Sequence, residues 1–266
     1  MDVIDSRHDK YLHSIPGLPG VAGVLVSNEK DLVFTSNRDE KTVGVFPHGR
    51  EEKLEKVRVG GFPNGLAFNP SRNTLLAANV SKQDDPNPIT VSMVETKKKI
   101  LTADIIVPGR TRWTVFDSKM DRFYVNVSKP PQIVAIESKD PDGITASYDI
   151  PVTGPHGLDI DSENRRLFCA CDQGDLFTVN LQSGRVSRVS DLSGSPDVIF
   201  YNSRLHHLYV AIGEPGVIDV FDTETIKLIQ TVKTEMGAHT IAYNPETDKV
   251  YAFTPANHRA AIYQDV

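Results

Sequence analysis

The stretch that decides the fold is HGLDIDSENRRLFCA, residues 156–170. A short alternating apolar run is followed by a turn of Asp, Ser, Glu and Asn, and then by a second apolar run. Alternation over a few residues is typical of a half-buried strand, and a polar stretch between two such runs is typical of a hairpin turn. The stretch therefore predicts two antiparallel strands.

The chain repeats this pattern. The other copies are AGVLVSNEKDLVFTS from residue 22, NGLAFNPSRNTLLAA from 64, RWTVFDSKMDRFYVN from 112, DVIFYNSRLHHLYVA from 197 and HTIAYNPETDKVYAF from 239. Successive copies start 41 to 48 residues apart. A period of about 40–50 residues with strand patterning is typical of β-propeller blades.

Each repeat continues with a third and a fourth strand-like run, such as DLFTVN at 175–180 and RVSRVS at 185–190. We therefore predict an all-β, six-bladed β-propeller of four-stranded antiparallel blades, forming one domain over residues 1–266. The last repeat stops after its third strand. The N-terminal run KYLHSI at 10–15 is predicted to complete that blade and close the ring, which leaves DVID at 2–5 as a surplus segment.

Composition limits the function classes. The 266 residues carry a formal charge of −6, which argues against nucleic acid and anionic membrane surfaces as partners. Apolar runs are too short to cross a bilayer, and no signal peptide opens the chain, so we expect a cytoplasmic protein. A leader missing from this chain would make it secreted or periplasmic. Cys169 and Cys171 fall on one face of a strand, which predicts two buried thiols, with a soft-metal pair as the alternative.

The candidate site follows from the first residue of each copy. In a propeller the first strands line the central channel, so these residues are expected at one channel mouth, the usual concave site of the fold. The six positions are Ala22, Asn64, Arg112, His156, Asp197 and His239. Five of the six are polar, which predicts a small-ligand site there. The alternative is that these side chains only cap their turns.

The residue types suggest two chemistries. His156, Asp197 and His239 suit a divalent metal ion, such as Zn, Ca, Mg or Mn. The same three suit proton transfer, with Asp197 orienting a histidine base. His156, His239 and Arg112 are therefore the candidate catalytic residues. Arg112 repels a cation and favours an anionic or carbonyl-bearing ligand, and Trp113 is either a stacking wall or a space filler.

Polar loops after the second strands are expected at the same face. We interpret Asn37, Asn79 and Asn126, together with Asn64 and Trp113, as candidate ligand-binding residues. The loop at 79–88 is expected to act as a partial lid. Other loop residues, including Arg38, Asp172 and Glu214, are interpreted as solvated.

Several stretches carry a family resemblance. PHGLDID at 155–161, GVIDVFDTETIKLIQTV at 216–232 and DVIDSRHDKYLHSI at 2–15 resemble the YVTN-type, YncE-like propeller repeats, and the resemblance covers nearly the whole chain. It implies the propeller fold. These repeats serve binding, scaffolding and enzymes alike, so it implies no single activity.

Two weaker resemblances concern activity. PNGLAFN at 63–69 and SPDV at 195–198 are similar to the metal-binding turns of gluconolactonases, which would make Asn64 and Asp197 metal ligands. The histidine-bearing turns resemble virginiamycin B lyase, which would make His239 the base. The leading hypothesis is therefore a propeller that binds a small molecule at the channel mouth. The alternatives are a metal-assisted hydrolase or lyase of the lactonase or esterase kind at the same site, and a protein-interaction scaffold.

Overall fold

The computed structural model describes residues 1–80, 87–139 and 141–266. The chain is built from antiparallel β-sheets in sequence order, which are the blades of the predicted propeller. It divides into two compact units, Met1–Ser147 and Tyr148–Val266, hereafter unit 1 and unit 2. The prediction that residues 1–266 form one domain stays a prediction.

Unit 1 holds an N-terminal hairpin and blades 1 to 3. The hairpin is β1 (Asp2–Asp5) and β2 (Lys10–Ser14). Blade 1 is β3 (Val21–Ser27), β4 (Leu32–Asn37), β5 (Thr42–Pro47) and β6 (Glu55–Arg58). Blade 2 is β7 (Phe62–Asn69), β8 (Thr74–Val80), β9 (Thr90–Glu95) and β10 (Ile100–Ile106). Blade 3 is β11 (Thr111–Asp117), β12 (Arg122–Val127), β13 (Gln132–Glu137) and β14 (Ile144–Asp149), whose last residues pass the unit boundary.

Unit 2 holds blades 4 to 6. Blade 4 is β15 (Pro155–Asp161), β16 (Arg166–Cys171), β17 (Asp175–Asn180) and β18 (Val186–Asp191). Blade 5 is β19 (Pro196–Asn202), β20 (His207–Ile212), β21 (Val217–Asp222) and β22 (Lys227–Lys233). Blade 6 is β23 (Ile241–Asn244), β24 (Lys249–Thr254) and β25 (Arg259–Gln264). Two short 3₁₀ turns, Arg38–Glu40 and Glu51–Lys53, lie in unit 1.

The first hairpin of every blade turns in the same way. The residue just before each second strand has a positive φ, between 52° and 56°. Asp and Asn adopt this left-handed conformation more readily than most residues, and they hold four of the six positions. The six residues are Asp31, Asn73, Asp121, Arg165, His206 and Asp248. The repeated polar turn in the sequence is therefore a repeated backbone conformation.

The second strands form the buried middle of the blades. In β16, Leu167 to Cys171 are all at most 1% exposed, because this strand is covered on both faces. Phe168 packs in unit 2 with Ile199, Leu208 and Phe221 of blade 5. Cys169 and Cys171 are both buried thiols that form no disulfide, with their sulfur atoms 3.9 Å apart, as the prediction of two buried thiols expects.

The predicted ring closure links strands of different units, so it stays a prediction. β2 pairs with β1 in a two-stranded sheet, and β23, β24 and β25 form a three-stranded sheet. The turn between β1 and β2 is four residues long, and closing so short a loop costs little conformational entropy. Ile15 and Leu18, just after β2, are buried with Val33 and Phe46 of blade 1.

Candidate functional site

The predicted site residues lie at a repeated irregularity of the first strands. In blades 1 to 5 the register between the first and second strands shifts near the start of the first strand, between Val21 and Val24, Pro63 and Leu66, Thr111 and Thr114, Pro155 and Gly157, and Pro196 and Ile199. Each shift contains the predicted residue of that blade. A β-bulge re-aims the side chain of its extra residue. The sequence copies therefore begin where the backbone turns a side chain away from the regular ladder.

Gly157 explains how close two of these bulges come. A methyl group added at Gly157 would stand 2.8 Å from the carbonyl oxygen of Asp197 and 2.7 Å from Cγ2 of Ile199. Real Cβ atoms do not approach backbone oxygens so closely. Only glycine lets β19 approach β15 at this point. The glycine after His156 therefore places the side chain of Asp197 next to that of His156.

His156 lies between two carboxylates. Its Nδ1 is 2.6 Å from Oδ1 of Asp172, and its Nε2 is 3.1 Å from Oδ1 of Asp197. The side chain of His156 is 13% exposed. Both ring nitrogens donate only in the imidazolium form, so this geometry favours a protonated ring.

Asp172, predicted to be a solvated loop residue, makes one of these two contacts. It follows the last residue of β16, and its backbone N–H donates to the carbonyl oxygen of Gly154 over 2.8 Å. Gly154 has φ of +79°, and a methyl group there would stand 2.6 Å from Cβ of Asp172. The signal that could have found Asp172 is the glycine two positions before His156, which leaves room for a side chain.

Asp197 also faces His239. Its second oxygen, Oδ2, lies 3.7 Å from Nε2 of His239. His239 precedes β23, and Thr240 beside it accepts a backbone hydrogen bond from Phe253 over 3.0 Å. The side chain of His239 is 54% exposed, against 27% for Asp197. We call Asp172, His156, Asp197 and His239 the Asp–His cluster. It contains three of the predicted site residues.

The other predicted first-strand residues lie in unit 1. The Nη2 group of Arg38 donates to Oδ1 of Asn64. Arg112 and Trp113 lie in the bulge of β11 and are partly buried. A methyl group on Gly65 would stand 2.7 Å from the carbonyl oxygen of Arg112, which repeats in unit 1 the close approach seen at Gly157. That all five polar positions share one pocket stays a prediction.

The three asparagines predicted in loops lie instead in second strands. Asn37, Asn79 and Asn126 belong to β4, β8 and β12 and are at most 1% exposed. Nδ2 of Asn79 donates to Thr90 Oγ1 and Ser92 Oγ, so this side chain ties β8 to β9. The strands continue further than expected because these amides find partners inside the sheet. Residues 81–86 of the expected lid lie outside the described residues.

The metal prediction needs movement of the side chains. In the part of the chain that the structure describes, no group of three or more His, Cys, Asp or Glu side chains is arranged to hold a metal ion. Two of the three proposed ligands, His156 and Asp197, contact each other directly. A metal at His156, Asp197 and His239 therefore stays a proposal.

Asp159 is a carboxylate of β15, in the same strand as His156. Its Oδ2 accepts a hydrogen bond from the backbone N–H of Tyr201 over 2.6 Å, and its Oδ1 accepts one from that of Ile160 over 2.8 Å. Burial raises the pKa of Asp159 to about 6, although these two hydrogen bonds oppose the shift.

Unit 2 as a whole is acidic, with 16 Asp and Glu residues against nine Lys and Arg residues. The surroundings of the Asp–His cluster therefore favour positively charged partners over anions.

Comparison with known proteins supports the fold. The chain is similar to a solved structure of hydrazine synthase from Kuenenia stuttgartiensis, with 15% identity and a TM-score of 0.64 over 96% of this chain and 98% of that one. It is also similar to a chain in a crystal structure of the mitotic checkpoint complex, with 9% identity and a TM-score of 0.80 over 99% of this chain and 81% of that one. These likenesses confirm the six-bladed β-propeller fold.

No family model matches the chain, and no curated protein matches its sequence. The YVTN-type resemblance therefore stays a prediction. Among the described residues, no helix is long and apolar enough to cross a membrane.

Proposed function

We propose that this propeller binds a small molecule carrying an amine or a hydroxyl group at the Asp–His cluster. The observation that carries the proposal is the gap between Oδ2 of Asp197 and Nε2 of His239. At 3.7 Å the two atoms are too far apart for a good hydrogen bond, and both side chains are accessible. A ligand atom that lies between them can bond to both.

The rest of the cluster supports this role. Asp172 and Asp197 hold His156 from opposite sides, so the ring keeps one orientation and in turn fixes Oδ1 of Asp197. A side chain held in this way loses little freedom when the ligand binds, which favours affinity. The acidic character of unit 2 favours an ammonium group over a neutral hydroxyl.

A metal-assisted hydrolase or lyase is the second candidate. Asp172 bonded to Nδ1 of His156 is the arrangement that orients a metal-binding histidine. His156 and Asp197 lie 3.1 Å apart, close to the ligand-to-ligand spacing of a tetrahedral zinc site, about 3.3 Å for bonds of about 2.0 Å, and a third ligand would have to move into place. The metal ion would supply a Lewis acid, and His239, left outside its ligand set, would transfer the proton. Arg112 as a clamp for a carboxylate remains part of this candidate.

A protein-interaction scaffold is the third candidate, and exposed apolar side chains in the fourth strands support it. Ile106 of β10 is 65% exposed, and Leu228 and Ile229 of β22 are 45% and 51% exposed. Such residues are ordinary when they are isolated, but two in succession on an edge strand, as at Leu228 and Ile229, favour a partner surface.

The test is a titration followed by the imidazole resonances of His239. We would add ethanolamine, zinc chloride or sodium acetate to the wild-type protein, to Asp197→Asn and to Asp191→Asn. Asp191 is a matched control, because its side chain is 86% exposed and lies in the same unit. We expect ethanolamine to shift the His239 resonances in the wild type and in Asp191→Asn, and to lose at least tenfold in affinity in Asp197→Asn.

The other outcomes separate the candidates. A response to zinc alone would favour the metal-assisted enzyme. A response to acetate alone would contradict the preference for an amine. No response to any probe would remove the Asp–His cluster as a ligand site and leave the scaffold.

A further inference from the structure

A cavity opens in unit 2, between the turns of blades 4 and 5. Its volume is about 410 Å³, within the range of small-molecule sites, about 300–1,000 Å³. The residues that line it all carry polar side chains: Asn164, Arg166, Asn180, His206, Thr223 and Glu224. None of these residues belongs to the Asp–His cluster.

The cavity lies far from the Asp–His cluster along the strands. β15 and β16 are antiparallel, with Pro155 opposite Cys171 at one end and Asp161 opposite Arg166 at the other. Asn164 and Arg166 therefore belong to the hairpin end, whereas His156 and Asp172 belong to the start of the blade. Five residues of strand separate the two ends by roughly 17 Å at about 3.4 Å per residue. A ligand in this cavity does not touch the Asp–His cluster.

The floor of the cavity is the ion pair of Arg166 and Asp161, whose charges cancel. The Nη2 group of Arg166 donates to Oδ2 of Asp161 over 3.0 Å, and the guanidinium group lies 4.7 Å from the centre of the Phe168 ring. Asp161 is 2% exposed, and Nδ2 of Asn164 donates to it over 2.8 Å. Burial raises the pKa of Asp161, but the hydrogen bonds from Asn164 and Arg166 outweigh burial and leave that pKa below its ordinary value. The charge of Arg166 is therefore matched within the protein.

The wall is also held in place. The backbone N–H and the Oγ1 hydroxyl of Thr223 donate to the carbonyl oxygen of His206, over 2.7 and 2.9 Å. Oδ1 of Asn180 accepts hydrogen bonds from the backbone of Gln182 and Ser183, over 3.0 and 2.9 Å. These contacts fix the positions of His206 and Asn180 before any ligand arrives. The side-chain amide of Asn180 and the imidazole of His206 therefore remain as polar groups in the lining of the cavity.

The chemistry of the lining selects a class of ligand. A phosphate or sulfate needs unmatched positive charge, and Arg166 is already paired with Asp161. A simple cation would meet the guanidinium group of Arg166 at the floor. Two amides, one imidazole, one hydroxyl and one carboxylate instead offer donors and acceptors to several groups at once. A neutral molecule with many hydroxyl groups matches that set.

We propose that the cavity bounded by Asn164, Arg166, Asn180, His206, Thr223 and Glu224 binds a neutral sugar ring. Glu224 accepts from hydroxyl groups at the rim, Asn180 donates its amide, and the Arg166–Asp161 pair forms the polar floor. This proposal does not depend on the function of the Asp–His cluster.

The test is saturation-transfer NMR on the whole chain with D-glucose, D-galactose, D-mannose and N-acetyl-D-glucosamine as separate probes. Two variants address the site. Asn180→Asp removes the amide donor but keeps Oδ1, which the turn requires, and Glu224→Gln removes the rim carboxylate. Glu246→Gln is the matched control, since Glu246 is an exposed turn residue of blade 6. Thermal unfolding of every variant establishes that each one is folded.

We expect at least one sugar to receive saturation from the wild-type protein and from Glu246→Gln. We expect the Kd of that sugar to rise at least tenfold in Asn180→Asp and Glu224→Gln, and to be unchanged in Asp197→Asn. The proposal is overturned if no sugar binds, if binding is unchanged in both cavity variants, or if inorganic phosphate binds where sugars do not. The Asp197→Asn measurement keeps this outcome separate from that of the first proposal.

Discussion

Nε2 of His156 lies 3.1 Å from Oδ1 of Asp197, although each residue belongs to a different blade. The contact joins the bulges of two neighbouring first strands, β15 and β19. It exists because Gly157 carries no side chain at the point where the backbone of Asp197 approaches. One absent methyl group therefore determines whether the Asp–His cluster forms.

Replacing Gly157 by Ala should separate His156 from Asp197. The new Cβ would stand 2.8 Å from the carbonyl oxygen of Asp197, so β19 must move. Forced overpacking of this kind costs about 1–3 kcal/mol. Urea unfolding measures the loss of stability, and the imidazole resonances of His156 measure the separation.

Gly65→Ala is the matched control for that substitution. Gly65 holds the same repeat position in blade 2, and a methyl group there meets the carbonyl oxygen of Arg112 at 2.7 Å. We expect a similar loss of stability with unchanged His156 resonances. If Gly65→Ala changes those resonances as strongly, the link between Gly157 and the cluster is wrong.

Asp172→Asn should change the protonation of His156. An amide in place of the carboxylate removes the charged acceptor at Nδ1, so the imidazolium form loses one of its two carboxylate contacts. Long-range ¹H–¹⁵N spectra at neutral pH should show two protonated ring nitrogens in the wild type and a larger neutral population in the variant. Equal populations in the two proteins would contradict this, and Asp191→Asn should resemble the wild type.

Asp159 should make stability fall as pH rises from about 4 to 6. Burial raises its pKa from 3.8 to about 6 in the folded protein, so the folded state binds the proton more tightly than the unfolded state does. The stability from this group is fully present below pH 3.8 and is lost as pH rises through about 6. A shift of about two pKa units corresponds to roughly 3 kcal/mol.

Asp159→Asn removes this titration. Its lost acceptor changes stability by an amount that does not depend on pH, so the slope is the informative quantity. We expect the wild type to lose about 1–3 kcal/mol relative to Asp159→Asn between pH 4 and pH 7, measured by urea unfolding. A pH-independent difference between the two proteins would show that Asp159 is not perturbed.

Asn202→Ala should be among the more destabilising polar substitutions in unit 2. The side chain is fully buried, and its Nδ2 donates to Tyr209 Oη over 3.0 Å and to Asp248 Oδ1 over 3.1 Å. Removing a partner from a buried polar group costs about 1–3 kcal/mol. Asn244→Ala is the control, since Asn244 holds the same place in blade 6 and is only partly buried. A loss in Asn202→Ala no larger than that in Asn244→Ala would contradict this role.

The repeat pattern was sufficient for the fold. The period of the copies and the alternation within them depend only on local chemistry, because a polar turn between two apolar runs makes a hairpin wherever it occurs. The repeat pattern does not determine which strand completes the last blade. KYLHSI fits a fourth strand by pattern, and it pairs with β1 of its own hairpin. Pattern identifies a strand but not its partner.

For the candidate site too, some features follow from the repeats and others only from the folded structure. Alignment of the repeats alone places His156, Asp197 and His239 at equivalent positions of successive copies. Only the tertiary structure decided that Asp172 joins them and that Asn37, Asn79 and Asn126 are buried in strands. The physical reason is that side-chain contacts depend on bulges and on the space left by Gly154 and Gly157, which set distances of a few ångströms between residues that the repeat pattern treats separately.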